Sequence, residues 1–244
     1  MKKTFADLHF RLNIKDPAAT SVMINKVATL GYCLIGVPFA PETREGEVSK
    51  LRAVFNKAEI DFASRIDLRP KTQNELMHQL RRLRRKYEVV CVACENKAVA
   101  RQAAKDHRVD LLNFPSLDFR TRFFDRAEAE LASNGLVALE IDVRPLLVLE
   151  GPARIRLLSS LRREVAIAKE FHVPIVVSSG TAEERLLRRP REMASLVFLF
   201  GVDEASALQA VSHTPVAIVK RNREKLSADF VAPGIRVVKE GKDC

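Results

Sequence analysis

A chain of 244 residues, 47% hydrophobic and 30% charged with only 9 glycines and 11 prolines, has enough apolar material for a compact core and lacks the composition of a disordered or collagen-like protein. Its length suits one α/β barrel of roughly 250 residues as well as two small domains. Lysine plus arginine outnumber aspartate plus glutamate by 41 to 31, and the net charge of +10 suits a polyanionic partner, nucleic acid or an acidic membrane surface, and equally a soluble protein that is merely basic.

The opening M-K-K-T-F-A-D-L-H has two lysines but no apolar core of signal-peptide length, so export is not expected. No window of about 18 uncharged apolar residues follows, so no membrane span is expected. Strand-like runs then alternate with helical ones: strands are predicted at 4–9, 32–37, 58–66, 88–94, 109–114, 136–141, 174–178 and 235–238. Eight strands in one run favour a single TIM-like (β/α) barrel spanning residues 1–238, with a frayed polar tail at 239–244. Between them, a helix begins at the N-cap and N1 pair Asp16 and Pro17 and stops at Gly31. Another shows Leu76, Leu80, Leu83 and Tyr87 on one face, with Arg81, Arg82, Arg84, Arg85 and Lys86 around the rest. A long helix at 151–172 repeats Leu158, Leu161, Val165 and Ala168. After the seventh strand, helical patterns at 203–212 and 215–226 exceed what a simple barrel needs and are read as extra carboxyl-terminal helices. Cys33, Cys91, Cys94 and Cys244 lie in or beside apolar runs or at the tail, as in a reducing cytoplasm, and a cytoplasmic location is expected.

Several motifs bear chemistry. Asp7 and His9 end the first strand, on the face where barrel active sites sit, and together resemble the start of PHP-type metal phosphoesterases. Those enzymes carry a second histidine where this chain has Arg11, and a guanidinium cannot ligate a cation. Cys91 and Cys94 lie three apart on a strand, facing opposite sides with no second ligand pair, and read as packed core thiols. Asp7, Asp67, Glu95, Glu140 and Asp142 fall near strand ends, where they serve either as an acid–base pair or as interior partners of Arg65 or Arg69. No glycine-rich phosphate loop or nucleophile motif occurs. The remaining signal is basic. Runs at 81–86, 154–156, 162–163, 185–191 and 220–225 recur on helices or their leading loops, and Phe119, Phe123 and Phe124 lie among Arg120, Arg122 and Arg126, an arrangement suited either to stacking beside phosphates or to packing a loop on the barrel.

F-A-D-L-H-F at 5–10, F-D-R-A at 124–127, L-E-I at 139–141, Arg154, V-V-S-S-G at 176–180, L-R-R-P-R-E at 187–192 and L-F-G-V at 199–202 together resemble the ribonuclease P p30 family, which includes archaeal ribonuclease P protein component 3. Arg189 stands where that family usually has serine, and Glu192 where it has aspartate. The resemblance implies a TIM-like barrel that serves as a protein subunit of ribonuclease P. It implies that the RNA with its magnesium ions cuts the 5′ leader from precursor tRNA, and that the RRM-like component 2 and other protein subunits are partners. This chain would then carry no catalytic residue, no metal and no cofactor of its own. Within the matched motifs Arg126, Arg154, Arg188 and Arg191 are the expected RNA-binding residues, with Arg69 and Lys71 beside them. The competing readings are a stand-alone PHP-like phosphoesterase using Asp7, His9 and Glu95, and a barrel enzyme binding a small phosphoester through Ser178, Ser179 and Gly180.

Overall fold

The computed structural model describes residues 4–118, 121–232 and 235–237. Strand and helix alternate as β1 (Ala6–Asp7), α1 (Pro17–Leu30), β2 (Leu34–Phe39), α2 (Glu45–Lys57), β3 (Asp61–Leu68), α3 (Gln73–Leu83), β4 (Val89–Ala93), α4 (Lys97–Ala104), β5 (Leu111–Asn113), α5 (Arg126–Gly135), β6 (Ala138–Asp142), α6 (Arg144–Val148), α7 (Gly151–Glu170) and β7 (Ile175–Ser178). Local chemistry sets many boundaries. Asp16 accepts the Ala19 amide to start α1, with Pro17 in its first turn, and Gly31 ends it in the left-handed conformation. Asn96 and Asp125 accept the Val99 and Glu128 amides at the starts of α4 and α5.

The seven strands pair in parallel, in the order β1 to β7, and the helices pack outside them as a TIM-like barrel wall. Side chains alternate across that wall: on β3, Phe62, Ile66 and Leu68 join the outer core beneath the helices, while Ala63, Arg65 and Asp67 face the barrel interior. Cys94 likewise packs in the outer core and Cys91 in the interior one, both buried, as their spacing predicted.

The sequence reading expected an eighth barrel strand at 235–238. Instead β9 (Ile235–Arg236) pairs antiparallel with β8 (Phe230–Ala232) in a separate hairpin, and Val238 and the tail lie outside the described residues. The physical reason lies at the seam. The Gly180 amide donates to the His9 carbonyl at 3.0 Å and the Arg11 amide to the Thr181 carbonyl at 3.1 Å, while at the opposite end the Ala6 amide donates to Val211 at 2.9 Å. Backbone groups that an eighth strand would need are already engaged, the first two bonds joining the ends of β7 and β1 and the third tying β1 to the segment after residue 210.

After β7 comes α8 (Pro190–Val197), and the two extra carboxyl-terminal helices expected at 203–212 and 215–226 are present as α9 (Glu204–Ala210) and α10 (His213–Leu226). α10 closes the amino-terminal end of the barrel. Its Ile218 and Val219 join Ala6, Leu34, Ala63, Val89, Ala138 and Val176 in the interior apolar cluster. Beside them Asn222 Nδ2 donates to the Glu88 carbonyl at 2.8 Å, and Arg223 reaches the Glu88 carboxylate at 2.6 Å and Asp61 at 2.7 Å. The Ser64 amide also donates to Glu88, at 2.7 Å; burial works against the Glu88 charge, but this bond and Arg223 hold its carboxyl below the usual range. Arg223 thus fastens the plug to the wall. Truncation, Arg223→Ala, leaves Glu88 with Arg52, 3.0 Å away, as its remaining counter-ion and is expected to lower unfolding free energy by on the order of 1 kcal/mol, discounted for that second cation and for the partial exposure of the arginine. Urea unfolding compares the variant with the parent, and an unchanged midpoint would remove Arg223 from this role.

Candidate functional site

Above the apolar floor the barrel interior turns polar, and Arg65 is its centre. Its guanidinium, fully buried, donates to both Glu140 oxygens at 2.5 and 2.6 Å, to Asp67 at 2.6 Å and to the Leu8 carbonyl at 2.9 Å. Glu140 also accepts from Ser178 Oγ at 2.8 Å, while Asn113 Nδ2 donates to both Glu140 and Asp142 at 3.0 Å. These side chains come from β3, β5, β6 and β7, all at inward-facing positions near strand ends. Of the two readings open from sequence, acid–base pair or interior partner, Glu140 and Asp67 take the second, as partners of Arg65. Asn113 escaped the sequence reading, because an amide on a strand carries no spacing signal, and Ser178, read there as a phosphoester ligand, serves Glu140 instead.

His9 sits between two of these carboxylates, its Nδ1 2.8 Å from Asp142 and its Nε2 3.3 Å from Asp67. Burial and the neighbouring Arg65 work against a charged ring, but Asp142 and Asp67 outweigh them and raise its pKa to about 9. The imidazolium donates from both nitrogens; Arg11 Nε, 3.1 Å from Nε2, can bond there only when the ring is neutral. Asp67 feels the same burial, yet Arg65 and His9 hold it well below the usual carboxylate range. Gly180, the glycine of V-V-S-S-G, is required twice over: its φ is +64°, and a Cβ there would stand 2.7 Å from Asp142 Cγ.

His9, Glu140 and Asp142 bring three potential metal-ligand atoms within 4.8 Å of one another. The donor chemistry fits a cation already in place, since Arg65 takes both oxygens of Glu140 and His9 itself is drawn toward the charged form. The set proposed from sequence, Asp7, His9 and Glu95, is not assembled. Asp7 Oδ1 accepts the His9 and Ser179 amides at 3.0 Å, and Glu95 lies more than half exposed, 3.3 Å from Arg69. Ser178, Ser179 and Gly180 do not form a phosphate cradle either. Ser178 bonds Glu140, Ser179 Oγ donates to the His9 carbonyl at 3.3 Å and the Gly180 amide is engaged at the seam.

The six candidate RNA-binding residues fall at four separate places. Arg69 and Lys71 occupy the connection after β3, Arg126 starts α5, Arg154 lies in the first turn of α7, and Arg188 and Arg191 enter α8. Arg126 is 72% exposed and 3.1 Å from Glu170, and Arg154 donates to the Leu149 carbonyl. Arg191 is exposed, whereas Arg188 is half-buried and donates to the Arg185 and Leu187 carbonyls at 2.9 Å, closing the loop ahead of its helix. Arg122 is buried rather than a surface cation. It donates to both oxygens of Glu164 at 2.5 and 2.6 Å and to the Phe114 carbonyl at 2.6 Å. Phe124 packs in the core edge-on to Phe114 and Phe123 is half-buried against it, so both hold a loop on the barrel; Phe119 and Arg120 lie outside the described residues.

The fold joins two basic runs that lie far apart in sequence. Arg84, from the end of α3, and Arg221, from α10, stand 3.5 and 3.1 Å from Asp110, a buried carboxylate ahead of β5. Lys225 completes the group. Partial burial and repulsion from Arg221 and Arg84 push its pKa down, against the pull of Asp110. Exposed Arg81, Arg85, Lys86 and Lys220 flank this amino-terminal face.

Two outcomes follow from the interior network. Arg65→Met strands buried Glu140, with an expected cost of about 3–5 kcal/mol, and Arg65→Met with Glu140→Gln recovers part of it, as chemical denaturation of the single and double variants measures. Because His9 is raised from 6.5 to about 9, the stability it supplies is complete below pH 6.5 and is lost as pH rises through about 9, roughly 2–3 kcal/mol over that window. Glu128, a buried carboxyl on α5 raised mainly by burial to about 8, also loses stability as pH rises, from its ordinary 4.5 upward, so parent and His9→Gln are compared at pH 6.5, 8 and 9.5. Equal losses in the two proteins would rule out an imidazolium at His9.

Comparison with known proteins agrees with this architecture. The model of the family described as RNase P subunit p30 matches residues 6–227. Ribonuclease P protein component 3 of Methanosarcina barkeri is 32% identical over 84% of this chain and 78% of its own length, and that of Methanosarcina acetivorans is 34% identical over 73% of each. A chain in the cryo-EM structure of archaeal ribonuclease P with mature tRNA superposes with a TM-score of 0.85 at 22% identity, covering 98% of this chain and 100% of that one, a likeness of fold. Strand order, plugged barrel and a match through nearly the whole chain lead to one conclusion: the protein belongs to the ribonuclease P p30 family and is a protein subunit of that ribonucleoprotein.

Proposed function

We propose that the chain acts within ribonuclease P as an RNA-binding scaffold, neutralising backbone phosphates while the RNA, with its magnesium ions, performs the cleavage. The convergence of Arg84, Arg221 and Lys225 on the single carboxylate of Asp110 is the observation that carries this reading. Three cations about one buried anion leave positive charge uncompensated, and phosphate is the anion that such a face attracts in a ribonucleoprotein. Arg69, Lys71, Arg126, Arg154 and Arg191, all exposed, belong to the same proposal as phosphate contacts elsewhere on the surface. Arg188, engaged with two carbonyls, is the least free of the six. A non-catalytic role is supported by the interior, where the carboxylates that could do acid–base work are held by Arg65 and His9.

Component 2 and further protein subunits are the proposed protein partners, precursor tRNA is reached through the holoenzyme, and the cytoplasm is the proposed location. Among the described residues no helix is long and apolar enough to cross a membrane. The phosphoesterase alternative gains no support, because its ligands are not assembled.

Reconstitution tests the reading. Precursor tRNA cleavage at moderate magnesium is expected to rise only when the RNA, component 2 and this chain are combined. A Lys86→Ala, Lys225→Ala double variant should flatten the salt dependence of RNA binding by about 2 in slope, close to 1 per cation removed, without changing sequence preference. An unaltered slope would take this face out of the interface, and cleavage by the chain without RNA would overturn the scaffold role.

A further inference from the structure

A cavity of about 230 Å³ opens on the carboxyl-terminal rim of the barrel, between the ends of β5 and β6 and the helices α6 and α7. It holds roughly the volume of seven or eight waters and falls below the size of ordinary small-molecule pockets, so it suits one flat ring system. Phe114, Ile141, Pro145 and Leu157 are among the apolar walls, and Leu117 and Val148, 49% and 44% exposed, form its lips. Its floor and its mouth have opposite chemistry. The floor is acceptor-rich: Asp142, 17% exposed at its side chain, takes bonds from His9 and Asn113 but keeps lone pairs for further donors. The mouth is cationic, lined by Arg11 and Arg144. Arg144 shares the one carboxylate of Glu183, 3.2 Å away, with Arg185 at 2.8 Å, which leaves positive charge at the lip. Arg122, the other cation of the lining, is engaged by Glu164.

We propose that this cavity binds a single nucleotide, its base inserted between the apolar walls with amino-edge N–H groups donated to Asp142, and its phosphate held at the mouth by Arg144 and Arg11. An inorganic anion does not suit the site, because the Asp142 and Glu140 carboxylates line its depth. A purely apolar ligand leaves the remaining lone pairs of Asp142 without donors. A nucleobase supplies both the flat face and the donors, and unstacked bases of RNA are commonly read along such edges. Guanine, with adjacent ring and exocyclic N–H groups, matches a carboxylate best, and uracil, with one ring N–H, least. The ligand is either an unpaired residue of RNA or a free mononucleotide. The proposal rests on the scaffold reading only for the first source.

The test uses the full chain and NMR titration with guanosine 5′-monophosphate, uridine 5′-monophosphate, inorganic phosphate and a short single-stranded oligoguanosine. Guanosine monophosphate is expected to bind about 10-fold more tightly than uridine monophosphate. Val148→Trp, which fills the mouth, and Arg144→Ala, which removes its cation, should each weaken binding by about 10-fold, whereas Lys57→Ala, which removes an exposed cation from the last turn of α2, leaves it unchanged. Oligoguanosine shifts at the cavity resonances that Val148→Trp removes assign the site to RNA; mononucleotide shifts there with no oligonucleotide shift at the same resonances assign it to a free nucleotide. Inorganic phosphate binding as well as the nucleotides, no perturbation by any ligand, or ligand binding that both mouth variants leave intact overturns the proposal. None of these results bears on the salt slope of the amino-terminal face, so failure here and failure of the scaffold role are separable.

Discussion

A guanidinium buried in the middle of a barrel constrains everything around it. Arg65 has no water to solvate it, so the fold must supply its anions and acceptors from protein: two oxygens of Glu140, one of Asp67 and the Leu8 carbonyl. Those partners sit on β6, on β3 itself and beside β1, so one side chain ties three parts of the wall together. The carboxylates then require further donors, which Ser178, Asn113 and His9 provide. The network also dictates backbone, since the Asp142 side chain that receives His9 leaves no room for a Cβ at Gly180.

The two ends of the barrel are consequently unlike. The lower interior is apolar and closed by α10, which brings Ile218 and Val219 into contact with small side chains such as Ala63 and Ala138. The upper interior is ionic and opens toward the rim cavity. An enzyme of this architecture would keep its carboxylates available at that rim. Here they are paired in place, and the basic groups that remain uncompensated lie at the opposite face, on the outer connections and at the lip of the rim cavity. Such a division suits a subunit whose chemistry is done by another molecule.

Arginine serves two unlike purposes in this chain. Arg65, Arg122 and Arg223 are fasteners, each bonded to a carboxylate and to a backbone carbonyl. Arg126, Arg154 and Arg191 are exposed. The planar fork that suits guanidinium to phosphate suits it equally to buried carboxylate, which is why residue type and local charge density do not separate the two.

Much of the fold was legible in the sequence because it rests on local rules. Alternating β and α periodicity, the Asp16 and Pro17 start, the Gly31 stop and the opposed faces of Cys91 and Cys94 depend on neighbours a few residues away. The motifs in V-V-S-S-G and L-R-R-P-R-E identified the family. Pairing across the barrel was not legible. The strand-like run at 235–238 carries no mark that the β7 to β1 seam is already closed, and Arg122 sits in a basic run with nothing nearby to announce Glu164, 42 residues away. Likewise Arg84 and Arg221 read as two unrelated charged helix faces until the wall and the plug place both against Asp110. Sequence by itself determined the seven barrel strands, their order and the family, since backbone propensity and periodicity act over short stretches of chain. Only the tertiary structure decided which charges are buried fasteners and which remain to meet a partner, because a charge's role depends on the counter-ion that folding brings within bonding distance.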